Sequence, residues 1–320
     1  MENLVEVKEL KKYFYQGGGP FKKKEPIKAL DNVSFTIKRN EILGLVGESG
    51  CGKTTCGKLI LRLINPTAGT ISFDGQDITH LKQKQLGEIR KKMMIIYQDP
   101  YGSLDPRMTI GAAIAEPMEV HRLTSTKEEK ENKIVELMEK VGLTPDQINR
   151  YPHEFSGGQR QRIGIARALA TNPIFIVADE PVSALDVSIQ AQIINLLKDL
   201  QKDFGLTMLF ITHDLSVIKH TSDRIAVMYA GKLVELASKQ DLFVEPFHPY
   251  TRALLSAIPI PDPDRQTKYI PLTGEVPSLI HPPPGCRFHP RCPEAKPECS
   301  QNEPELHEIK KEHFVACFPP

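Results

Sequence analysis

The sequence lacks a long hydrophobic run, a charge imbalance and a signal-like N-terminus, and each absence excludes a class of proteins. No stretch of the 320 residues approaches the ~20 apolar residues needed to span a bilayer. Lysine plus arginine (41) nearly equals aspartate plus glutamate (40), so no strong field attracts nucleic acid or an anionic membrane surface. Residues 1–10 are charged rather than signal-like. We therefore expect a cytosolic chain, and any membrane spans that it works with must come from other subunits.

Cysteine is scarce over most of the chain but not near its C-terminal end. Of six cysteines, four fall within residues 286–317. Because a cytosolic chain seldom keeps structural disulfides, a metal or cluster site is the stronger expectation for this group. The spacing C-x5-C-x6-C-x17-C matches neither paired CxxC zinc sites nor the ferredoxin pattern, so it is not diagnostic. The four are Cys286, Cys292, Cys299 and Cys317.

The sequence does contain a phosphate-binding loop. Residues 47–54 fit the pattern G-x-x-x-x-G-K-S/T, after a strand-like run at 42–46 and before a helix-like run at 55–63. Glycines let the backbone N–H groups close around phosphates, Lys53 should reach the β- and γ-phosphates, and the Thr54 hydroxyl should bind Mg²⁺. The chain is therefore predicted to bind a nucleoside triphosphate. The predicted contacts are Gly47, Ser49, Gly50, Cys51, Gly52, Lys53, Thr54 and Thr55.

Two adjacent carboxylates follow a fully apolar strand downstream of this loop. Residues 174–178 are all apolar, and Asp179 and Glu180 come next. Because neighbouring residues at a strand end point to opposite sides, Asp179 can face Mg²⁺ while Glu180 faces the γ-phosphate. We therefore predict Asp179 as a metal ligand and Glu180 as the base that activates water.

A second anion-binding helix terminus is predicted at residues 155–159, Phe-Ser-Gly-Gly-Gln. Ser156 can cap the helix that follows, and one nucleotide does not need both this terminus and the phosphate loop. The motif resembles the signature sequence of the ATP-binding subunits of ABC transporters, with Phe155 in place of the commoner leucine. In that family the signature of one subunit closes over the γ-phosphate held by another, which implies a head-to-tail dimer. The residues so implied in ATP contact are Ser156, Gly157, Gly158 and Gln159.

The resemblance covers about residues 4–236 and assigns further positions. Gln98 resembles the glutamine that senses Mg²⁺ and faces the membrane subunit. Asp186 ends a stretch similar to the D-loop of the family, and His213 resembles its switch histidine at the γ-phosphate. The implied catalytic residues are Glu180, His213 and Gln98, and the implied Mg²⁺ ligands are Thr54, Gln98 and Asp179.

An aromatic residue near the start of the chain is implied to stack on adenine, as in this family. Tyr13 is the candidate. Phe14 and Tyr15 follow directly, so the register is left open among the three.

Strand and helix patterns alternate around these motifs. Residues 189–204 read as a helix and 207–212 as a strand, an alternation that favours a mostly parallel sheet covered by helices. From residue 109 to about 147 the pattern becomes helical. The apolar face of this part is Ile134, Leu137, Met138 and Val141.

The predicted fold class is therefore α/β. The resemblance implies a P-loop NTPase core with a mixed, mostly parallel sheet, an antiparallel β subdomain and an inserted α-helical subdomain at about 105–170. The nucleotide-binding domain is expected at 1–236. Prolines accumulate after about residue 237, which predicts that residues 237–320 form a Pro/Cys-rich appendage with little regular structure.

Three stretches narrow the resemblance to the ATPases of oligopeptide and dipeptide importers: residues 98–108, 248–255 and 284–292. The last two lie in the appendage, which is not expected to be required for ATP hydrolysis, so they indicate lineage. This appendage is thought to hold an iron–sulfur cluster in some relatives. The four tail cysteines are therefore candidate ligands of a four-iron, four-sulfur cluster, with free thiols or zinc as alternatives.

The sequence thus predicts the ATP-binding and hydrolysing subunit of an ABC importer for di- or oligopeptides, with ATP and Mg²⁺ as cofactors. The implied partners are a second, different ATPase subunit, two membrane permease subunits and an extracytoplasmic solute-binding protein, without direct contact to nucleic acid. The implied location is the cytoplasmic face of the cell membrane. Nickel, glutathione or sugars are alternative solutes. A soluble ABC ATPase acting on ribosomes or DNA is an alternative class, which the single nucleotide domain and the balanced charge disfavour.

Overall fold

The computed structural model describes residues 2–17, 24–258 and 269–318 of the chain. These residues cluster into two units: the first contains Glu2, 38–41 and 80–211, and the second contains the remaining described residues. Within the described ranges, no helix is both long and apolar enough to cross a membrane. The strands are β1 (Asn3–Gln16), β2 (Glu25–Lys38), β3 (Ile42–Val46), β4 (Ala68–Phe73), β5 (Gln76–Asp77), β6 (Met93–Ile96), β7 (Phe175–Asp179), β8 (Thr207–Ile211), β9 (Arg224–Tyr229), β10 (Lys232–Ser238), β11 (His307–Lys310) and β12 (His313–Val315). The helices are α1 (Lys53–Ile60), α2 (Gln83–Lys92), α3 (Ile110–Val120), α4 (Lys127–Lys140), α5 (Gly157–Leu169), α6 (Val187–Phe204), α7 (Leu215–Thr221), α8 (Lys239–Val244) and α9 (Pro249–Ser256).

The first unit is built on parallel strands. β7 pairs with β6 on one side and with β8 on the other, both in parallel register. All residues of β7 and β8 are buried, which agrees with the apolar runs expected of parallel strands covered on both faces. The strand predicted at 174–178, the helix predicted at 189–204 and the strand predicted at 207–212 are confirmed within two residues at each end.

Helices α3, α4 and α5 lie between β6 and β7 in sequence and pack against one another in the first unit. The predicted apolar face is confirmed, because Ile134, Leu137, Met138 and Val141 are all buried. Arg162 of α5 donates to the carbonyl oxygen of Val141 at 2.6 Å, which ties α5 to the C-terminal end of α4. This tie positions α5, the helix that begins at the signature motif.

The second unit contains two sheets. One is antiparallel in the order β2-β1-β4-β5 and matches the predicted antiparallel part. In the other, β3 is parallel to β9, whereas β10 is antiparallel to both β9 and β12, and β11 is antiparallel to β12. This second sheet is therefore mixed, and with the helices it confirms the α/β class.

The appendage has more regular structure than its proline content predicts. It forms α8, α9, β11 and β12, and β12 pairs with β10. Pro249 is the first residue of α9, a position where the missing N–H has no helical partner to lose. The expectation of little regular structure is confirmed for residues 269–306, which contain only two short 3-10 turns, and is wrong for the segments that form these four elements. Residues 259–268, inside the proline-rich stretch, lie outside the described residues.

A buried carboxylate fastens the appendage to the sheet. Oε1 of Glu235, on β10, accepts the Phe247 N–H at 2.8 Å and lies 2.8 Å from Nε2 of His313. Its other oxygen accepts the His248 N–H at 3.0 Å. Glu235, His248 and His313 are each almost fully buried. A buried carboxylate is stable only with such donors, so this contact fixes the chain on both sides of α9.

Acid should weaken the structure through His248. Burial lowers the pKa of this imidazole to about 4 from 6.5, so between these pH values the unfolded chain binds more protons than the folded one. The free energy of unfolding should therefore fall by about 2 kcal/mol between pH 7 and pH 5 through this group. Urea denaturation at both pH values measures the loss.

The matched variant is His248→Asn, which keeps a side chain able to cap α9 but does not titrate. Its stability should fall less than that of the unmodified chain over the same pH interval. Equal losses in both proteins would assign the acid sensitivity to other groups.

Candidate functional site

The predicted phosphate-binding loop runs from the end of β3 into α1 in the second unit. All residues of β3 are buried, so the strand fixes the start of the loop. Gly47 has a φ of 150°, and a Cβ at this position would lie 2.1 Å from the carbonyl oxygen of Met228. Only glycine fits there, because the loop rests directly on the backbone of β9.

Lys53 is the first residue of α1, and its ammonium group lies within the loop. Nζ is 2.7 Å from the carbonyl oxygen of Gly47 and 3.0 Å from that of Glu48. The lysine is 5% exposed, and a charge with so little exposure needs such acceptors. Positive charge therefore lies at a helix N-terminus, which itself favours an anion. The predicted loop contacts that are exposed or half-buried are Ser49, Gly50, Gly52, Thr54 and Thr55.

The cysteines beside the loop serve as packing residues. Cys51 and Cys56 are both buried. Burial raises the pKa of both thiols, that of Cys56 to about 12, so neither is a nucleophile at neutral pH. Cys51 positions the loop through its backbone, since its carbonyl oxygen accepts the Gly231 N–H at 2.9 Å.

The predicted carboxylates lie in the first unit, at the end of β7. Asp179 is its last residue and is buried, whereas Glu180 follows with a φ of 47° and is half-buried. Gln98 lies two residues beyond β6, and its Nε2 donates to Oε2 of Glu180 at 3.1 Å. The parallel pairing of β6 and β7 thus brings two of the predicted catalytic residues together.

The signature motif is confirmed as a helix N-terminus in the first unit. Oγ of Ser156 accepts the Gln159 N–H at 3.3 Å, and Oε1 of Gln159 accepts the Ser156 N–H at 3.0 Å. This reciprocal pair is a capping box for α5. Gly158 is buried, and a Cβ there would lie 2.5 Å from Cγ2 of Ile189 on α6. Because there is no room for a Cβ at Gly158, α5 and α6 approach closely at this end. Gly157, beside it, is half-buried.

The other two positions named by the resemblance also flank helices. Asp186 caps α6, accepting the Ile189 N–H at 3.3 Å, and lies near the signature because Gly158 contacts that same isoleucine. His213 is exposed and precedes α7 in the second unit. The N–H of Thr212 donates to the carbonyl oxygen of Leu45 at 3.2 Å, which places His213 beside the strand that enters the phosphate loop.

The aromatic candidates for adenine stacking differ in their surroundings. The Tyr13 hydroxyl donates to Oδ1 of Asp31 at 2.6 Å, and burial together with this bond raises its pKa to about 12. Phe14 and Tyr15 are exposed. Asp31 also receives the guanidinium of Arg287 from the appendage. The tie between Tyr13 and Asp31 was not predicted, and the choice among the three aromatics stays a prediction.

Sequence reasoning missed the contacts between the appendage and the phosphate loop. Arg291 and Tyr250 both bond to Glu48, and Arg287 donates to the carbonyl oxygen of Ala230 at 2.5 Å in the turn between β9 and β10. All three residues lie in the stretches 248–255 and 284–292. The sequence marked those two stretches as typical of oligopeptide and dipeptide importer ATPases. It did not indicate that their side chains contact the phosphate loop.

The four tail cysteines line one cavity of about 660 Å³ in the second unit. Burial raises the pKa of Cys286, Cys292 and Cys317, that of Cys317 to about 11, so these groups are neutral thiols at pH 7. Among the described residues, no three His, Cys, Asp or Glu side chains are grouped to hold a metal ion. The donor arrangement, with Cys299 included, thus does not support the predicted iron–sulfur cluster.

Comparison with known proteins gives matches to both parts of the chain. Residues 30–183 match the family model described as ABC transporter, and residues 234–299 match the one described as oligopeptide/dipeptide transporter, C-terminal region. The putative oligopeptide transport ATP-binding protein YkfD of Bacillus subtilis is 55% identical over 98% of this chain and 94% of its own. The oligopeptide transport ATP-binding protein AppF of the same organism is 53% identical over 99% of this chain and 97% of its own.

A solved structure shows the same fold. It is the dimeric, post-hydrolysis state of the ATP-binding cassette MJ0796 bound to ADP and Pi. The TM-score is 0.66 with 32% sequence identity, over 73% of this chain and 98% of that one. The described chain therefore contains the fold of an ATP-binding cassette.

Replacing Gly47 should disrupt the phosphate loop before any nucleotide is added. Gly47→Ala drives a Cβ into the Met228 carbonyl oxygen, and we expect a loss of about 3 kcal/mol or more in the free energy of unfolding. Gly50→Ala is the matched control, since its φ is 78° but a Cβ there meets no atom within 4 Å. It should cost only about 1–2 kcal/mol. Equal losses by urea denaturation would show that the contact with β9 is unimportant.

Proposed function

This chain belongs to the ABC transporter family, among the ATP-binding subunits that carry the oligopeptide/dipeptide transporter C-terminal region, and we propose that it hydrolyses ATP to drive peptide import. The observation that carries the proposal is the intact phosphate loop, with Lys53 held inside it by two carbonyl groups. The loop supports ATP binding, and relatives named for oligopeptide transport over nearly the full chain support the class of solute.

ATP binding is assigned to the phosphate loop of the second unit. In this proposal Lys53 contacts the β- and γ-phosphates, and the loop N–H groups surround them. Thr54, Gln98 and Asp179 are assigned to Mg²⁺ on the chemistry of their side chains alone, because hydroxyl, amide and carboxylate oxygens are the hard donors that the ion prefers. When bound there, Mg²⁺ would supply positive charge that offsets the charge of the phosphates. Tyr13, or its neighbour Phe14 or Tyr15, is assigned to the adenine.

Hydrolysis is assigned to Glu180 as the base that accepts a proton from the attacking water. Its hydrogen bond to Gln98 at 3.1 Å supports this role, because the amide orients the carboxylate. Gln98 also begins the stretch 98–108 that we assign to the contact with the membrane subunit. A change at that contact can therefore alter the orientation of Glu180. His213 is assigned to the γ-phosphate.

The partners are assigned from the family and from an exposed surface on the first unit. An ABC ATPase works as a dimer with membrane permease subunits, and we propose that the second ATPase is a different chain. The signature residues, Ser156 to Gln159, and Asp186 would then face the partner's ATP. Tyr97 and Tyr101 flank Gln98 and are 40% and 65% exposed, as expected of a surface that receives a permease helix.

The proposal also assigns a class of transported solute and a location in the cell. We assign di- and oligopeptides, delivered by an extracytoplasmic solute-binding protein, because both full-length relatives are named for oligopeptide transport. The permease subunits would hold this chain at the cytoplasmic face of the cell membrane. Nickel, glutathione and sugars are the alternative solutes.

The metal content of the appendage can be measured, because the four tail thiols line one cavity and yet are not grouped as a metal site in the described residues. Elemental analysis and the visible absorption of the full-length chain, purified without oxygen, measure this directly. Stoichiometric iron and sulfide that disappear in Cys292→Ser would restore the cluster assignment. Cys56→Ser is the control, because this buried cysteine lies outside the appendage.

Peptide uptake tests the function. In cells that carry Glu180→Gln in place of the native copy, uptake of labelled di- and oligopeptides should be lost, because removing a general base slows hydrolysis by about a hundredfold or more. Binding of ATP by the purified variant should persist. The matched control is Glu139→Gln, an exposed glutamate on α4, which should leave uptake unchanged at equal protein levels.

Peptide uptake that continues in Glu180→Gln, alongside confirmed loss of hydrolysis, would overturn the peptide assignment and keep the ATPase. The same strains would then be assayed with nickel, glutathione and sugars.

A further inference from the structure

Glu48, the second residue of the phosphate loop, forms a two-pronged ion pair with the appendage. Nη1 of Arg291 lies 2.8 Å from Oε2 of Glu48, and Nη2 lies 3.1 Å from Oε1. A guanidinium that meets both oxygens of a carboxylate fixes its direction as well as its distance. The side chain of Glu48 is therefore held in one orientation.

This ion pair is shielded from water. The side chain of Arg291 is 6% exposed and that of Glu48 is 25% exposed. The hydrogen bonds from Arg291 to Glu48 raise the pKa of the arginine, and the Tyr229 hydroxyl lies 3.3 Å from Nη1. Exposed ion pairs contribute little, but removing one partner of a shielded pair leaves a charge without compensation. Removing Arg291 should therefore leave the Glu48 carboxylate of the phosphate loop without its partner.

The appendage also holds the backbone of Glu48. Its N–H donates to the hydroxyl of Tyr250 at 3.0 Å. Tyr250 lies on α9, is fully buried, and packs with ring centroids 4.7 Å from Tyr229 and 5.5 Å from Phe288. Because an aromatic cluster fixes the tyrosine, the hydroxyl is a rigid acceptor. We call these contacts of Tyr250 and Arg291 with Glu48 the appendage clamp.

The appendage clamp acts on a residue that also holds Lys53. The carbonyl oxygen of Glu48 accepts from Nζ of Lys53 at 3.0 Å, so the backbone position of Glu48 places one of the two acceptors around this ammonium. The carboxylate of Glu48 is moreover a negative charge on a loop that binds an anion. Pairing with Arg291 neutralises that charge.

We infer that Arg291 is a positioning residue for ATP: through Glu48 it keeps the phosphate loop in the shape that binds the phosphates. This inference rests on ATP binding at that loop, as proposed above. It gives the appendage a part in nucleotide binding, which its sequence did not suggest. Arg291 itself need not touch ATP.

Equilibrium binding of ATP with Mg²⁺ to the full-length chain tests the role. Arg291→Gln should raise the Kd for ATP by about tenfold, a size typical of coupling between sites. Arg291→Lys keeps the positive charge but loses the two-pronged contact, so its Kd for ATP should lie between those of Arg291→Gln and the unmodified chain. Arg252→Gln is the matched control, since Arg252 is a half-buried arginine of the same appendage whose partner, Glu294 at 2.7 Å, lies outside the phosphate loop. It should bind ATP normally.

A double-mutant cycle separates positioning from a general loss of structure. If Arg291 acts through Glu48, the double variant Glu48→Gln/Arg291→Gln should bind ATP no more weakly than the worse single variant. In the assembled transporter, Arg291→Gln should raise KM for ATP and largely keep kcat. A merely unfolded fraction would instead lower kcat at unchanged KM.

Three outcomes would overturn the inference. They are normal ATP binding by folded Arg291→Gln, equal weakening in Arg291→Gln and Arg252→Gln, and strictly additive effects in the cycle. Absence of ATP binding by the unmodified chain would instead remove the proposed function, and the inference with it. Circular dichroism and thermal unfolding of each variant show that folded chains are compared.

Discussion

The structure of the proposed nucleotide site depends on holding one nearly buried ammonium group, that of Lys53. A charge with so little exposure is stable only where acceptors converge on it, and two carbonyl groups of its own loop do so. They converge because Gly47 lets the loop turn against the backbone of β9. The buried β3 sets where the loop begins, and α1 sets where it ends. The site is therefore a property of the folded unit rather than of an isolated motif.

Much of the fold could be predicted because its strongest signals are local. The apolar run at 42–46 forms β3. The helix face formed by Ile134, Leu137 and Met138 is buried, as the spacing of these residues predicts. The helices and strands of the appendage were not predicted, and the reason is physical. β11 is short and mostly exposed, so no apolar alternation marks it. The prolines were taken as breaks although Pro249 begins a helix, and the buried partner of His313 lies 78 residues away at Glu235.

The candidate site, like the fold, was predictable where its signals are local and was missed where distant segments meet. Contiguous motifs identified the phosphate loop, the strand that ends at Asp179 and the cap at Ser156, because each carries its chemistry within a few residues. Contacts between distant segments left no such trace. Arg291 and Glu48 are 243 residues apart, and neither stands out within its own stretch. A motif search assigns residues, but hydrogen bonds between segments decide how those residues are held.

The appendage clamp also bears on descent. The phosphate-loop pattern leaves the position after its first glycine open to any residue, yet in this chain Glu48 is tied to Arg291. Natural variation at the two positions should therefore be correlated across relatives. A hybrid that joined this loop to an appendage without an arginine at position 291 would lose the contact even with both parts intact. Loop and appendage are in this sense one structural piece, although most of the chain separates them.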